Sequence, residues 1–275
     1  MALSVNTNAA AMVALQNLNK TNMDLSEVQT RINTGLRVAG AKDDGGIFAI
    51  AQRMRSQVAG YGVVKQSLDL ATSTTDVALA AGEAISDLLV EMKEKALAAS
   101  DASLDTQSRT ALNEDFKSLR DQVATIVSNA EFNGTNLINN SVTSISALAN
   151  SDGTNTIRIS DENMSLGGGV VTLAATASFA TAGDASTIVT TIETSLDNLN
   201  QSLARLGTAS KSLEVHNNFV TKLSDSLEKG IGALVDADLA KESARLQSLQ
   251  TKQQLGVQAL SIANQAPSTI LSFFQ

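Results

Sequence analysis

Apolar residues recur at intervals of seven through the C-terminal half of the chain. The series runs through Ile192, Leu199, Leu206, Leu213, Val220, Leu227 and Leu234. Polar residues at Ser210, Asn217 and Ser224 interrupt a second series beside it. Spacing by seven over such a length predicts one long helix that packs along one face. At ~1.5 Å per residue, this helix would be roughly 60 Å long, which exceeds a typical globular helix.

The N-terminal half carries a matching pattern. One series is Val64, Ala71, Ala78, Ile85, Met92 and Ala99, and the neighbouring one is Leu68, Thr75, Gly82, Leu89 and Ala96. A further helix is predicted from Leu112 to Ile126. Together these segments predict a helical bundle whose core contains Val64, Leu68, Ile85, Leu89, Met92, Phe116, Leu119, Val123, Leu199, Leu206, Leu213, Val220 and Leu227.

Both chain ends are amphipathic, and each is too poor in apolar residues to fold alone. Leu18, Leu25 and Ile32 are spaced by seven, and Leu246 follows Leu239 at the same interval. We therefore expect the two ends to pair with each other and with other copies of the chain. We call the apolar residues of both ends the terminal seam: Leu15, Leu18, Leu25, Val28, Ile32, Leu36, Val235, Leu239, Leu246, Leu249, Leu260 and Ile270.

The middle of the chain is rich in Ser, Thr, Asn and Gly. Residues 154–160 alternate polar and apolar side chains, and Val170–Leu173 follows three glycines, so each is predicted to be a short strand. The predicted fold is mainly α, an elongated antiparallel helical bundle or coiled coil built from both chain ends. A small β-hairpin insertion lies in its middle.

Composition narrows the possible functions. The chain has one His and 3% aromatic residues. It has no Cys, and this absence excludes disulfides, thiolate nucleophiles and Cys-ligated metals. The net charge of −8 repels phosphate, so we expect no nucleic-acid partner. No apolar run is long enough to insert in a membrane, and the amphipathic ends lack the Lys- and Arg-rich face of an interfacial helix.

No candidate for catalysis, cofactor binding or metal binding has a convincing context. Asp43–Gly46 lacks the further ligands of a calcium loop and the Lys of a phosphate loop, so a capped turn between helices is the better interpretation. Gly167–Gly169 is interpreted as a turn. His216 lies on neither main series and is interpreted as solvated or as an inter-subunit side chain. We therefore expect no enzyme activity and no cofactor.

Four segments resemble signature segments of bacterial flagellins. Thr34–Gly46 is similar to the N-terminal signature, and Asp236–Ala244 with Gln258–Leu271 is similar to the C-terminal one. Phe132–Leu137 resembles the family's Phe-Asn-Gly turn. The chain is similar to the short alphaproteobacterial members of the family in two respects. Its middle region is short, and residues 252–260 have the sequence Lys-Gln-Gln-Leu-Gly-Val-Gln-Ala-Leu.

The resemblance implies three layers. Residues 1–42 and 233–275 would form an inner terminal coiled coil, residues 43–140 and 188–232 a surrounding bundle, and residues 141–187 a variable outer surface. It implies a structural subunit that polymerises into the helical tube used for swimming. The implied partners are the chain itself, other flagellins, an export chaperone, the export apparatus, the filament cap and the hook-junction proteins.

The sequence leaves two alternatives to a filament subunit. The terminal signatures are shared with proteins of the hook–filament junction, and a secreted coiled-coil partner that does not polymerise would also fit the pattern. The N-terminal residues lack a basic region followed by an apolar one, so we expect a protein secreted to the flagellum without a cleaved signal peptide. Residues 172–194 are rich in Ser and Thr and are a candidate for O-linked glycans on the outer face.

Overall fold

The computed structural model describes residues 7–271, with side chains as far as residue 265. Within that range the elements are α1 (Ala9–Thr34), α2 (Gly45–Ala99), α3 (Thr106–Asn129), β1 (Ser144–Leu148), β2 (Thr156–Ser160), α4 (Ala182–Val235) and α5 (Leu239–Leu271). The fold is therefore mainly α with a small β-hairpin, as the sequence predicted. No helix in the described part is long and apolar enough to cross a membrane.

Local sequence sets where the helices begin and end. Asn8 caps α1 by accepting the Ala11 N–H at 3.0 Å, and Asp105 caps α3 by accepting the Ser108 N–H at 2.9 Å. These bonds satisfy backbone donors that have no partner inside the helix. Helix α1 stops at Gly35, whose φ of 71° is the left-handed conformation that glycine adopts without steric cost.

The β-hairpin differs from the sequence prediction in one strand. β2 lies within the predicted segment, but its antiparallel partner is β1, with Ser146 opposite Arg158. Val170–Leu173 is not a strand, although three of its apolar side chains are buried. Its backbone bonds elsewhere, since the Val170 N–H donates to the Asn163 carbonyl and the Thr172 N–H to Ser195 Oγ.

The chain divides into two compact units. The bundle unit comprises Gln57–Asp225, and the terminal unit comprises Met1–Ser56 and Ser226–Gln275. In the bundle unit, α2 runs antiparallel to α4, because Asp69 contacts Asn217 while Lys93 pairs with Glu193. Helix α3 packs back on α2, and the Arg109 guanidinium donates to the Ala99 carbonyl at 3.0 Å.

The bundle core holds most of the residues predicted for it. Leu119 and Leu227 are half-buried, and Leu227 belongs to the terminal unit. The others are almost fully enclosed: Val64, Leu68, Ile85, Leu89, Met92, Phe116, Val123, Leu199, Leu206, Leu213 and Val220. The small residue at Gly82 brings α4 close, since a Cβ there would lie 2.6 Å from Leu203 Cδ2.

Candidate functional site in the terminal helices

The two chain ends form one antiparallel helix pair, α1 against α5. Polar contacts mark its length. Asn8 Nδ2 donates to the Ala263 carbonyl at 2.6 Å, and Gln253 Nε2 donates to Asn22 Oδ1 at 2.8 Å. Because the partner number falls as the α1 number rises, the two helices run in opposite directions in a single register.

An ion pair lies at the other end of this helix pair. Arg31 Nη1 is 3.3 Å from Glu242 Oε1, and Arg31 also pairs with Glu27 one turn earlier on α1. Glu242 is buried, and its second carboxylate oxygen has no hydrogen-bond partner among the described residues. An ion pair with an unsatisfied oxygen adds little net stability, but it disfavours other registers of the two helices.

The predicted terminal-seam residues differ in burial, and Leu18 is one that packs between α1 and α5. The seam packs tightly enough that Leu18 Cδ1 lies 3.2 Å from where a Cβ on Gly256 would be. Leu15 and Leu239 are exposed. Ile270 has no described side chain. Val28, Val235 and Leu249 are buried, while Leu18, Leu25, Ile32, Leu36, Leu246 and Leu260 are half-buried.

A second apolar face lies on the opposite side of each helix, and the predicted terminal seam does not include it. Met23 is two residues from Leu25, and Leu255 is two residues from Gln253, so each lies about half a turn from the seam. The exposed large apolar residues of these helices include Met12, Val13, Met23, Leu255, Val257 and Ile262. We call Met12, Met23, Leu255 and Ile262 the outer face of the pair.

The outer face could have been predicted from the spacing of its residues in the sequence. Leu255 and Ile262 are spaced by seven, and Met12 and Met23 by eleven, which is about three turns. Both spacings keep residues on one side of a helix. A helix with apolar residues on two opposite sides needs two partners, and the described part of the chain supplies one of them to each terminal helix.

A short clamp connects the terminal helices to the ends of α2 and α4. Leu36 and Asp236 form an isolated antiparallel bridge. The Arg37 N–H donates to the Val235 carbonyl at 2.7 Å, and the Ala237 N–H donates to the Gly35 carbonyl at 2.9 Å. A small apolar cluster of Val38, Ala51 and Val235 lies beneath it. Leu36 and Val235, predicted as part of the seam, thus also belong to this clamp.

The loop at Asp43 and Asp44 is built as a capped turn. Asp43 Oδ2 accepts the Ala39 and Gly40 N–H groups at 2.9 and 3.0 Å, and Asp44 Oδ1 accepts the Ile47 N–H at 2.9 Å. Both carboxylates are therefore used to hold the turn and to start α2. In the described part of the chain, no group of three or more His, Cys, Asp or Glu side chains could hold a metal ion.

His216 has a structural role inside the bundle unit, which corrects its interpretation as a solvated or inter-subunit side chain. Its Nε2 lies 2.8 Å from the Ala149 carbonyl, and its ring contacts Phe219. The Leu148 N–H donates to Ser67 Oγ at 3.0 Å. Side chains of α2 and α4 therefore hold the end of the β-hairpin, and a sequence gives no sign of contacts between such distant residues.

Family models match both ends of the chain. The bacterial flagellin N-terminal helical region matches residues 5–143, and the bacterial flagellin C-terminal helical region matches residues 189–274. The chain is 56% identical over 272 residues to flagellin FljM of Caulobacter vibrioides, covering 99% of this chain and 98% of that one. It is 36% identical over 281 residues to a flagellin of Brucella melitensis, covering 99% of each.

A solved structure of a flagellar hook-associated protein from Vibrio parahaemolyticus has a similar fold. The TM-score is 0.59 at 13% identity, over 70% of this chain and 100% of that one. At this identity the likeness concerns the fold alone. The full-length identity lies with flagellins, which separates the filament interpretation from the junction interpretation.

Proposed function

Since this chain belongs to the bacterial flagellin family and is a structural subunit of the flagellar filament, we propose that the outer face of its terminal helices makes the contacts between subunits. The observation that carries this proposal is the position of Met12, Met23, Leu255 and Ile262, which are exposed on the side of each helix away from its partner. The occupant of this face is a second copy of the chain, or another flagellin.

The energetics favour assembly over an isolated helix pair. Burying one Leu side chain contributes ~1.5–3 kcal/mol, whereas fixing the backbone of one residue costs ~1–2 kcal/mol. A pair with one covered seam gains little over this cost, and covering the outer faces of many copies adds the missing apolar burial. A surface that contacts a different surface on the next copy need not close, so it generates a helical fibre.

The layers implied by the family remain part of the proposal. Residues 1–42 and 233–275 would form the inner coiled coil, residues 43–140 and 188–232 the bundle around it, and residues 141–187 the outer surface. Their support is the pairing of the two chain ends with each other and the separate core of the bundle unit.

Further partners follow from the same family membership. The proposal includes an export chaperone, the export apparatus, the filament cap and the hook-junction proteins, and it places the subunit in the extracellular filament after export without a cleaved signal peptide. It assigns the chain no catalytic activity. Exposed hydroxyl residues on α4, including Thr187, Thr190 and Thr194, support O-linked glycans within residues 172–194, and the intact mass of the native protein tests this point.

The test is seeded polymerisation followed by negative-stain electron microscopy. The unmodified protein is expected to form long, uniform filaments after addition of short seeds and ammonium sulfate. Leu255→Asp is expected to abolish them, because it places a charge on the outer face. Gln254→Asp adds the same charge beside it on a polar flank and should still polymerise.

A second variant separates the two sides of α5. Leu246→Asp places a charge in the half-buried seam toward α1, so it should also abolish polymerisation while thermal unfolding of the bundle unit stays unchanged. Filaments from Leu255→Asp would contradict the outer-face proposal. Unmodified protein that stays monomeric under all seeded conditions would instead favour a junction protein or a non-polymerising secreted partner.

A further inference from the structure

Two methionines dominate the outer face of α1. The exposed fractions of Met12 and Met23 are 64% and 66%. They are eleven residues apart, about three turns, so both thioethers lie on the same side of the helix. That side is about half a turn from Leu25 and Ile32, which are half-buried. Within the described residues, no partner in this chain covers either side chain substantially.

The other described methionines are in different surroundings. Met92 and Met164 are fully buried in the core of the bundle unit. Met54 is half-buried in the terminal unit, and its methyl carbon lies 2.8 Å from where a Cβ on Gly230 would be. Since oxidation of methionine follows exposure, an oxidant in solution reaches Met12 and Met23 before the other described methionines.

We propose that Met12 and Met23 form an oxidant-sensitive modification site that controls polymerisation, with peroxides as the reagent class. The inference rests on the proposed assembly through the outer face. Oxidation converts a flexible apolar thioether into a polar sulfoxide, and a polar group buried without a hydrogen-bond partner opposes assembly. The oxidised subunit keeps its bundle core and loses the ability to join a filament.

Hydrogen peroxide alone supplies the oxygen atom and accepts the two electrons in this reaction. A lone pair on the Met sulfur attacks one oxygen of hydrogen peroxide, and the O–O bond breaks. The second oxygen leaves as hydroxide and takes the proton of the transferred hydroxyl group, giving water. The sulfur is oxidised to the sulfoxide and the peroxide is reduced. Methionine sulfoxide reductases, one for each sulfoxide epimer, reverse the change.

Peroxide can reach Met12 and Met23 before the subunit joins a filament but not afterwards. In the free subunit both thioethers face solvent, and in the filament they lie against another copy. Peroxide therefore acts on subunits before they join, and assembly itself protects the site. An existing filament resists a concentration of oxidant that stops its further growth.

The experiment uses the full-length chain with dilute hydrogen peroxide. Monomer is treated, peptide mass spectrometry locates each added oxygen, and seeded polymerisation is measured by sedimentation. We expect sulfoxide at Met12 and Met23, none at Met92 and Met164, and loss of polymerisation. Treatment with both sulfoxide reductases should restore it. The same peroxide applied to preformed filaments should oxidise Met12 and Met23 several-fold less.

Matched variants separate this site from general damage. The Met12→Leu/Met23→Leu variant keeps apolar side chains of similar volume, so it should polymerise and continue to do so after peroxide. Met54→Leu should lose polymerisation after peroxide as the unmodified protein does. Normal polymerisation of chain carrying both sulfoxides would overturn the inference, as would equal loss in the double variant. If untreated protein fails to polymerise, the proposed function fails and the inference with it.

Discussion

Gly60 fits the turn of the β-hairpin onto α2. A Cβ at this position would lie 2.8 Å from Ser151 Cβ and 2.9 Å from the Ser151 carbonyl oxygen. Because one of these atoms belongs to the backbone, the clash cannot be relieved by a side-chain rotation. The glycine therefore lets the hairpin approach the helix, although glycine is a poor residue for a helix interior.

Replacing Gly60 tests this contact against helix propensity. Gly60→Ala should destabilise the bundle unit by ~1–3 kcal/mol, the usual cost of overpacking, after allowance for a small gain in propensity. Gly62→Ala is the matched control, since nothing lies within 4 Å of a Cβ there. It should stabilise the same helix by ~0.5–1 kcal/mol. Denaturant unfolding measures both, and equal effects of the two variants would contradict the contact.

Asp161 is a half-buried carboxylate whose surroundings disfavour its charged form. Burial raises its pKa, and the nearby Glu162 charge adds to the rise, while the Asn140 N–H partly opposes it. The folded chain therefore holds this proton more tightly than the unfolded chain does. Stability from this group is present below the ordinary carboxyl pKa of ~3.9 and is lost as the pH rises through the raised folded value.

Asp161→Asn removes the charge and keeps the shape. The variant should melt at a higher temperature than the unmodified protein at pH ~7, and the difference should vanish at pH ~3, where the carboxyl is protonated in both folded and unfolded chains. Thermal unfolding followed by circular dichroism measures this. Asp152→Asn, at the exposed turn of the hairpin, is the control and should leave the melting temperature unchanged. A higher melting temperature only at low pH would show the wrong sign.

Among the elements, the long helices were predictable because their spacing by seven repeats many times. The partner of β2 was predicted wrongly, and Val170–Leu173 shows why. Its apolar side chains are buried, so the sequence signalled burial correctly, but its backbone bonds to the loop and to Ser195. The β1 segment Ser-Ile-Ser-Ala-Leu does alternate, and that pattern could have identified it.

The role of the polar residues that interrupt the α4 series could not be predicted from the sequence either. Asn217 Nδ2 donates to Asp69 Oδ1 at 2.6 Å, and Ser210 Oγ donates to Asp76 Oδ1 at 3.2 Å. In sequence these residues only weakened a stripe. In the structure they fix the register of α2 against α4, a role that depends on partners more than a hundred residues away. The same reason hid the contacts of Asn8 and Asn22 with α5.

Helix α4 offers a direct test of which side faces the core. Leu206 is buried and Val215 is exposed on the same helix. Leu206→Asp should cost several kcal/mol and abolish the cooperative thermal transition of the bundle unit, because a buried unpaired charge has no compensation. Val215→Asp adds the same charge at the surface and should change stability by less than ~0.5 kcal/mol. An unchanged transition in Leu206→Asp would mean that the core face has been assigned wrongly.

For the whole molecule, charge and apolar burial act in opposite directions on assembly. The chain has a net charge of −8, so copies repel one another at low ionic strength. The exposed apolar side chains at Leu255 and Ile262 favour association at any ionic strength. Salt reduces the first effect by screening, and an excluded salt such as sulfate also strengthens the second.

Two salts at equal ionic strength separate these contributions. Ammonium sulfate and sodium chloride screen the net charge alike, but only sulfate is strongly excluded from apolar surface. Seeded filaments should therefore form at a several-fold lower protein concentration in sulfate, as measured by sedimentation of the polymer. Equal threshold concentrations would mean that relief of repulsion alone drives growth. In that case the outer face would contribute little, and a conservative Leu255→Ala variant should polymerise as readily as the unmodified chain.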